Sequence, residues 1–159
     1  MKKILLFLLS VAVSGQFAYS RDVLHTENTT IVLDAEVGKD LQIVYYGARL
    51  SDTDVENLRF AGVRPQRPYP AHGLIGKEEE ALSVVFPDGN VTLDLKVTGV
   101  SRSSWEDGEV LEITSRDTFY PFMVKAFYKT YRSEDMISTW TELTNEGKKP
   151  MTLTRFDSG

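Results

Sequence analysis

The apolar residues of this chain come in short runs that end at Gly, Pro, Asn or Asp. The runs are rich in Val, Ile, Thr, Tyr and Phe, which are the residues that pack best on a pleated strand surface. After residue 20 almost every apolar segment has this form, which is typical of strands rather than helices. The pattern predicts an all-β domain, and short strands separated by turns indicate an antiparallel sandwich.

Turn signals connect these runs. The Pro-Asp-Gly-Asn segment at 87–90 lies between two apolar runs, and its residues accept the dihedral angles of a tight reversal. It predicts a hairpin over 81–97 in which Leu93 and Val97 share the core-facing side. Reversals at 106–108 and 145–147 continue the chain as a meander. The strands are expected at 30–33, 41–46, 81–86, 91–97, 110–114, 122–131, 136–145 and 151–155.

Residues 50–77 interrupt this regularity. The segment holds several Arg and Pro residues, has little apolar periodicity and is longer than an ordinary connection. Long connections without secondary structure are usually functional or disordered, so this one is a place to look for a functional site.

The first twenty residues have the layout of a secretory signal peptide. Lys2 and Lys3 precede an apolar run at 4–13, and small residues at 18 and 20 suit a cleavage site after Ser20. A membrane anchor is the alternative, but the run is far shorter than the roughly 20 residues that a membrane-spanning helix needs. We expect a secreted or periplasmic mature protein of residues 21–159 that has no membrane attachment after cleavage.

Charge, cysteine content and motifs argue against several classes of function. The formal net charge of -5 provides no basic field for a nucleic acid, so we expect no nucleic-acid partner. The chain has no Cys, which removes disulfides and thiolate metal sites. His25 and His72 lie far apart, and neither has a second ligand at metal-binding spacing. We expect no metal and no cofactor, because phosphate-binding and dinucleotide motifs are missing as well.

Carboxylates and aromatic rings leave a role in carbohydrate chemistry open. Glycoside hydrolysis needs two facing carboxyl groups, and none of the 23 Asp and Glu residues forms an evident pair of this kind. Aromatic rings stack on sugars but also fill sandwich cores, and core packing is the better interpretation for rings within strands. Tyr69 and Trp105 lie in loop-like sequence, so both interpretations stay open for them.

A series of segments across the mature chain carries a resemblance to a known family. Three of them are Leu-Gln-Ile-Val-Tyr-Tyr-Gly at 41–47, Tyr-Pro-Ala-His-Gly at 69–73 and Ile-Ser-Thr-Trp-Thr-Glu at 137–142. In their order and spacing the segments resemble the N-terminal domain of the glycoside hydrolase family 36 α-galactosidases. The other matching segments are 29–34, 81–84, 88–90, 93–95, 120–122 and 155–158.

The resemblance implies a galactose-mutarotase-like β-supersandwich, incomplete here at its C-terminal side, that packs on a catalytic barrel or on neighbouring subunits. It implies that the catalytic aspartates lie in that barrel, so we assign no catalytic residue and expect the chain to be inactive alone. The complete enzyme alone would meet an α-galactoside substrate. In tetrameric members a loop of this domain shapes the active-site rim of a neighbouring subunit, which makes Tyr69 and His72 rim candidates.

Two other functions fit the same sandwich. A free-standing carbohydrate-binding module would use Trp105, and with it Tyr69, to stack on a sugar ring. An adhesin-like assembly domain would form a defined oligomer without any dependence on sugar.

Overall fold

The computed structural model describes residues 21–58, 62, 64–70 and 80–157 of the chain. The expected all-β class is confirmed, since this part is built of antiparallel strands with one short helix. The signal peptide predicted at 1–20 lies outside the described residues. No helix within the described ranges is long and apolar enough to cross a membrane. The elements are β1 Asp22–His25, β2 Thr29–Asp34, β3 Gln42–Ala48, α1 Asp52–Asn57, β4 Leu82–Val85, β5 Leu95–Trp105, β6 Gly108–Asp117, β7 Phe122–Tyr131, β8 Met136–Asn145 and β9 Thr152–Phe156.

The strands form three sheets with different topologies. A three-stranded sheet has the order β1-β2-β3, and a four-stranded sheet has the order β5-β6-β7-β8. Each strand in these two sheets pairs with its neighbour in sequence, as the predicted meander requires. The third sheet pairs β4 with β9, which are far apart in the sequence.

Alternation along the strands separates a core face from an outer face. In β7 every second residue from Phe122 to Thr130 is buried, and the residues between them are only partly covered. Side chains point to opposite faces of a strand in turn, so one face of the four-stranded sheet closes the core. The residues on its other face, which include Lys125, Phe127 and Lys129, meet solvent.

Two hydrophobic clusters fill the interior. The first lies between the three-stranded and four-stranded sheets and contains Leu24, Leu33, Leu111 and Ile113. The second joins β4 to the start of β7 and contains Leu82, Val84, Phe86, Leu93, Phe122 and Val124. Each fully buried Leu contributes about 1.5–3 kcal/mol relative to an exposed one, so these clusters provide most of the driving force for the sandwich.

The hairpin predicted over 81–97 is wrong, although its turn forms. Phe86 N donates to Asn90 O at 2.9 Å, and Gly89 adopts the positive φ that the reversal needs. The strand expected at 91–97 begins only at Leu95, and it pairs with β6 instead of β4. The reason is local, because a side chain accepts the backbone hydrogen bond that a hairpin partner strand would otherwise accept. Asp117 accepts from Asp94 N at 2.7 Å, which leaves 91–94 outside any sheet.

The region 50–77 contains an element that the sequence analysis missed. Ser51 caps α1, since its Oγ accepts from Asp54 N at 3.2 Å while the Asp54 carboxylate accepts from Ser51 N at 3.3 Å. This reciprocal arrangement is a capping box, and Ser-x-x-Asp was its sequence signal. The helix buries no residue, so apolar periodicity could not reveal it.

Candidate functional site

The segment 66–70 forms the base of the loop that the sequence analysis singled out. At one end Gln66 and Ile43 exchange both backbone hydrogen bonds, at 2.9 and 2.7 Å, which attaches the segment to β3. At the other end Pro70 O accepts from Ala81 N at 2.8 Å. The backbone is therefore held on both sides of Tyr69, where the chain leaves the described residues towards position 71.

Tyr69 joins the two hydrophobic clusters. Its half-buried ring packs against both of them and stacks on Phe156, with the ring centroids 6.3 Å apart. Its hydroxyl shares a hydrogen bond with Thr141 Oγ1 on β8, and burial raises the pKa of that hydroxyl. These contacts make Tyr69 an anchor of the loop base. Its role at an active-site rim stays a prediction, and His72 lies outside the described residues.

Asp40 fixes the same loop base through charge. Its carboxylate accepts from Arg67 Nε at 3.0 Å and from Lys96 Nζ at 2.6 Å, and Lys96 also contacts Asp94 at 2.7 Å. Burial raises the pKa of Asp40, but the hydrogen bonds from Lys96 and Arg67 outweigh burial and leave that pKa below its usual value. Asp40 is therefore an anion at neutral pH, and it connects the loop base to β5.

Trp105 ends β5 at the tight turn into β6. Its indole Nε1 donates to Thr130 O at 3.1 Å, and the edge of Tyr131 meets its ring with centroids 5.0 Å apart. The Lys129 ammonium lies 3.9 Å from the centre of the indole, a cation–π contact. Trp105 is thus packed by its own sheet, and its role in sugar stacking stays a prediction.

A polar cleft of about 550 Å³ lies where the β1–β2 turn meets the β7–β8 turn, a feature that the sequence analysis missed. His25 Nδ1 shares a 2.8 Å hydrogen bond with Thr30 Oγ1, and burial followed by the charge of Arg49 lowers the pKa of the imidazole. No local sequence signal predicts the cleft, because its residues come from two distant segments of the chain, 25–49 and 109–133. The lining residues are His25, Thr26, Glu27, Arg49, Glu109, Arg132 and Ser133.

Within the described ranges, no group of three or more His, Asp or Glu side chains is placed to hold a metal ion. The cleft is lined by hydrogen-bond donors and acceptors, including acidic and basic side chains, and the loop base is held to β3, β5 and β8.

Comparison with known proteins gives a consistent result. Residues 39–159 match the glycosyl hydrolase family 36 N-terminal domain. The fold is similar to that of an α-galactosidase from Lactobacillus brevis, with 16% identity and a TM-score of 0.71 over 87% of this chain and 23% of that one. None of the curated proteins matches the chain in sequence.

Two enzymes from Geobacillus stearothermophilus share the same fold. The family 36 α-galactosidase AgaA, solved as a variant with 1-deoxygalactonojirimycin, has 20% identity and a TM-score of 0.75 over 87% of this chain and 24% of that one. The family 36 α-galactosidase AgaB has 18% identity and a TM-score of 0.70 over 88% of this chain and 23% of that one. The chain thus spans about a quarter of the length of the solved structures that it matches.

Proposed function

The chain belongs to the glycosyl hydrolase family 36 N-terminal domains, and from this membership we propose that it is the non-catalytic scaffold domain of a secreted α-galactosidase. The observation that carries the proposal is the family match over residues 39–159. The complete enzyme would act on terminal α-galactosides of plant oligosaccharides. This domain would pack on the catalytic barrel or on neighbouring subunits.

The engagement of carboxylates in the described sheets supports a scaffold role. A retaining glycosidase needs two carboxyl groups about 5 Å apart beside the sugar, one as acid and one as nucleophile. Glu109 instead pairs with Arg102 at 2.6 Å, and Glu112 pairs with Lys125 at 2.7 Å. Like Asp40, these acids connect neighbouring segments of the domain.

The rigid loop base supports a role at the rim of an active site. Backbone hydrogen bonds clamp 66–70, and Tyr69 and Asp40 hold it to β8 and β5. Fixing the two ends of a loop reduces the conformational freedom that the loop can lose on binding. Residues 71–79, including His72, would then contribute contacts to a substrate held mainly by the barrel.

The test of the scaffold assignment compares the chain with a hybrid in which it replaces the superposed quarter of AgaA. Both are assayed on an aryl α-galactoside, with AgaA lacking that quarter as the control. We expect turnover from the hybrid and none from the chain or the control. Turnover by the chain alone, purified from a host without α-galactosidase, would refute the scaffold assignment.

The test of secretion is separate. The chain is expressed with its first twenty residues in a bacterium, and the exported product is analysed by N-terminal sequencing. We expect the mature protein to begin at Arg21, because the residues before it have the layout of a signal peptide. A product that stays in the cytoplasm and retains Met1 would contradict this part of the proposal.

A further inference from the structure

The outer face of the four-stranded sheet carries a stacked pair of aromatic rings. Phe127 on β7 and Trp140 on β8 are direct cross-strand partners, and their rings are parallel within 2° with centroids 4.6 Å apart. Trp140 keeps 40% of its surface exposed although it is a large apolar side chain. The rings lie on the face opposite the buried Ala126 and Tyr128, so neither hydrophobic cluster uses them.

Uncommitted polar groups border the exposed indole on both sides. Ser138 and Glu142 lie two positions before and after Trp140 on the same face of β8, roughly 7 Å away along the strand. Neither side chain has a hydrogen bond or ion pair with any described residue. Across the strand pair, Lys129 stands opposite Ser138 and Lys125 stands opposite Glu142. Both lysines have other partners, since Lys125 pairs with Glu112 and Lys129 lies over Trp105, so the groups open to a ligand beside the ring are the Ser138 hydroxyl and the Glu142 carboxylate.

This combination selects one class of ligand. The core of a protein interface is depleted of charged residues. Trp140 instead has the Glu142 carboxylate two positions along its own strand, and two lysines lie on either side of its partner Phe127. A neutral sugar has an apolar C–H face for the ring and hydroxyl groups for the polar border. We propose that Ser138, Trp140 and Glu142, with Phe127 behind the indole, form a saccharide-binding platform on this sheet face.

A galactosyl unit fits the platform best. The axial O4 of galactose leaves the C–H groups of C3, C4 and C5 on one side of the ring, which provides a continuous apolar face. The opposite side and the rim carry hydroxyl groups that Glu142 can accept from and Ser138 can donate to. The choice of a galactosyl ligand rests on the proposed function, while the platform itself rests on the geometry of β7 and β8.

Tryptophan fluorescence provides a direct test, because the chain contains two Trp residues. In Trp105→Phe the remaining emission reports only Trp140, and in Trp140→Phe it reports only Trp105. We expect raffinose to produce a saturable blue shift in the full chain and in Trp105→Phe, and none in Trp140→Phe. Calorimetry should show at least tenfold weaker binding in Trp140→Ala, and a severalfold loss in Glu142→Gln. Circular dichroism verifies that each variant keeps the fold.

Several results would overturn the platform. They are the absence of saturable binding by the full chain, unchanged affinity in Trp140→Ala, and loss of all binding in Trp105→Phe. Poor quenching of Trp140 by acrylamide would also overturn it, since a second copy of the chain would then cover the face. Equal affinity for maltotriose would overturn the galactosyl assignment, whereas the hydrolysis assay on the hybrid tests the proposed function independently.

Discussion

Replacing Asp40 with Asn should destabilise the domain by about 1.5–2.5 kcal/mol at neutral pH. The substitution keeps the shape of the side chain and removes the charge that Arg67 and Lys96 share, at 3.0 and 2.6 Å. Hydrogen bonds to charged groups contribute about 1.5–3 kcal/mol each when buried, and exposed ion pairs contribute less than about 1 kcal/mol. The side chains of Asp40, Arg67 and Lys96 are 22–31% exposed, and Lys96 keeps Asp94 as a partner in the variant. The expected loss of unfolding free energy therefore lies between the values for buried and exposed pairs.

The pH dependence of this effect has a defined sign. The pKa of Asp40 is lowered in the folded chain, so its stabilising effect is complete above the unfolded value near 4 and is lost as the pH falls through the folded pKa. Urea unfolding followed by circular dichroism at pH 7 and at pH 2 measures this. The wild type should exceed Asp40→Asn in unfolding free energy at pH 7, and the difference should be smaller at pH 2.

The matched control is Glu36→Gln, which breaks a 2.7 Å ion pair with Lys39 between well-exposed side chains. This variant should unfold like the wild type, because exposed ion pairs contribute little. Equal unfolding free energies for the two variants at pH 7 would refute the interpretation of Asp40. A deficit of Asp40→Asn that persisted unchanged at pH 2 would refute it as well.

Two further substitutions probe the packing around the strands. Tyr69→Phe removes the hydroxyl that shares a hydrogen bond with Thr141, so we expect the unfolding free energy in urea to fall by about 1 kcal/mol. A stability equal to that of the wild type would show that this bond does not anchor the loop base. Gly108→Ala would place a Cβ against the Thr130 carbonyl and 2.5 Å from its Oγ1, so we expect a loss of about 1–3 kcal/mol by thermal unfolding. Gly99→Ala has open space around the new methyl group and serves as the control; equal melting temperatures for the two variants would contradict the predicted clash.

Two long strands of the meander, β7 and β8, were predictable because they obey a local rule, whereas β5 continues eight residues beyond the strand expected at 91–97. The bounds of β7 and β8 agree with the sequence prediction. Burial alternates along β7, and the two strands pair with each other as neighbours in the chain. The pairing of β4 with β9 obeys no such rule. The turn at 87–90 predicted a local hairpin. The structure shows why that hairpin does not form: Leu93 is buried in the core, and Asp94 N donates to the Asp117 carboxylate instead of to a strand.

The candidate sites were predictable to different degrees. Tyr69 stood out because of its loop-like surroundings, but its bond to Thr141 joins positions 72 residues apart and has no local signal. The strand aromatics Phe127 and Trp140 were assigned to the core on the basis of strand composition alone. Only the register of β7 with β8 places them together on the outer face, where Trp140 remains exposed.

The pairing of β4 with β9 also has a consequence for how the chain is made. Ser83 and Thr154 share a hydrogen bond in this sheet and are separated by 71 residues. At a synthesis rate of about 5–20 residues per second, β4 leaves the ribosome roughly 4–14 s before its partner strand exists. The four-stranded meander can form during that interval, because its strands are neighbours in sequence. The backbone of β4, with Leu82 and Val84, has no partner strand during the same interval. The edge of β4 therefore stays unpaired for longer than the edges of the meander strands, and an unpaired strand edge is a site of aggregation.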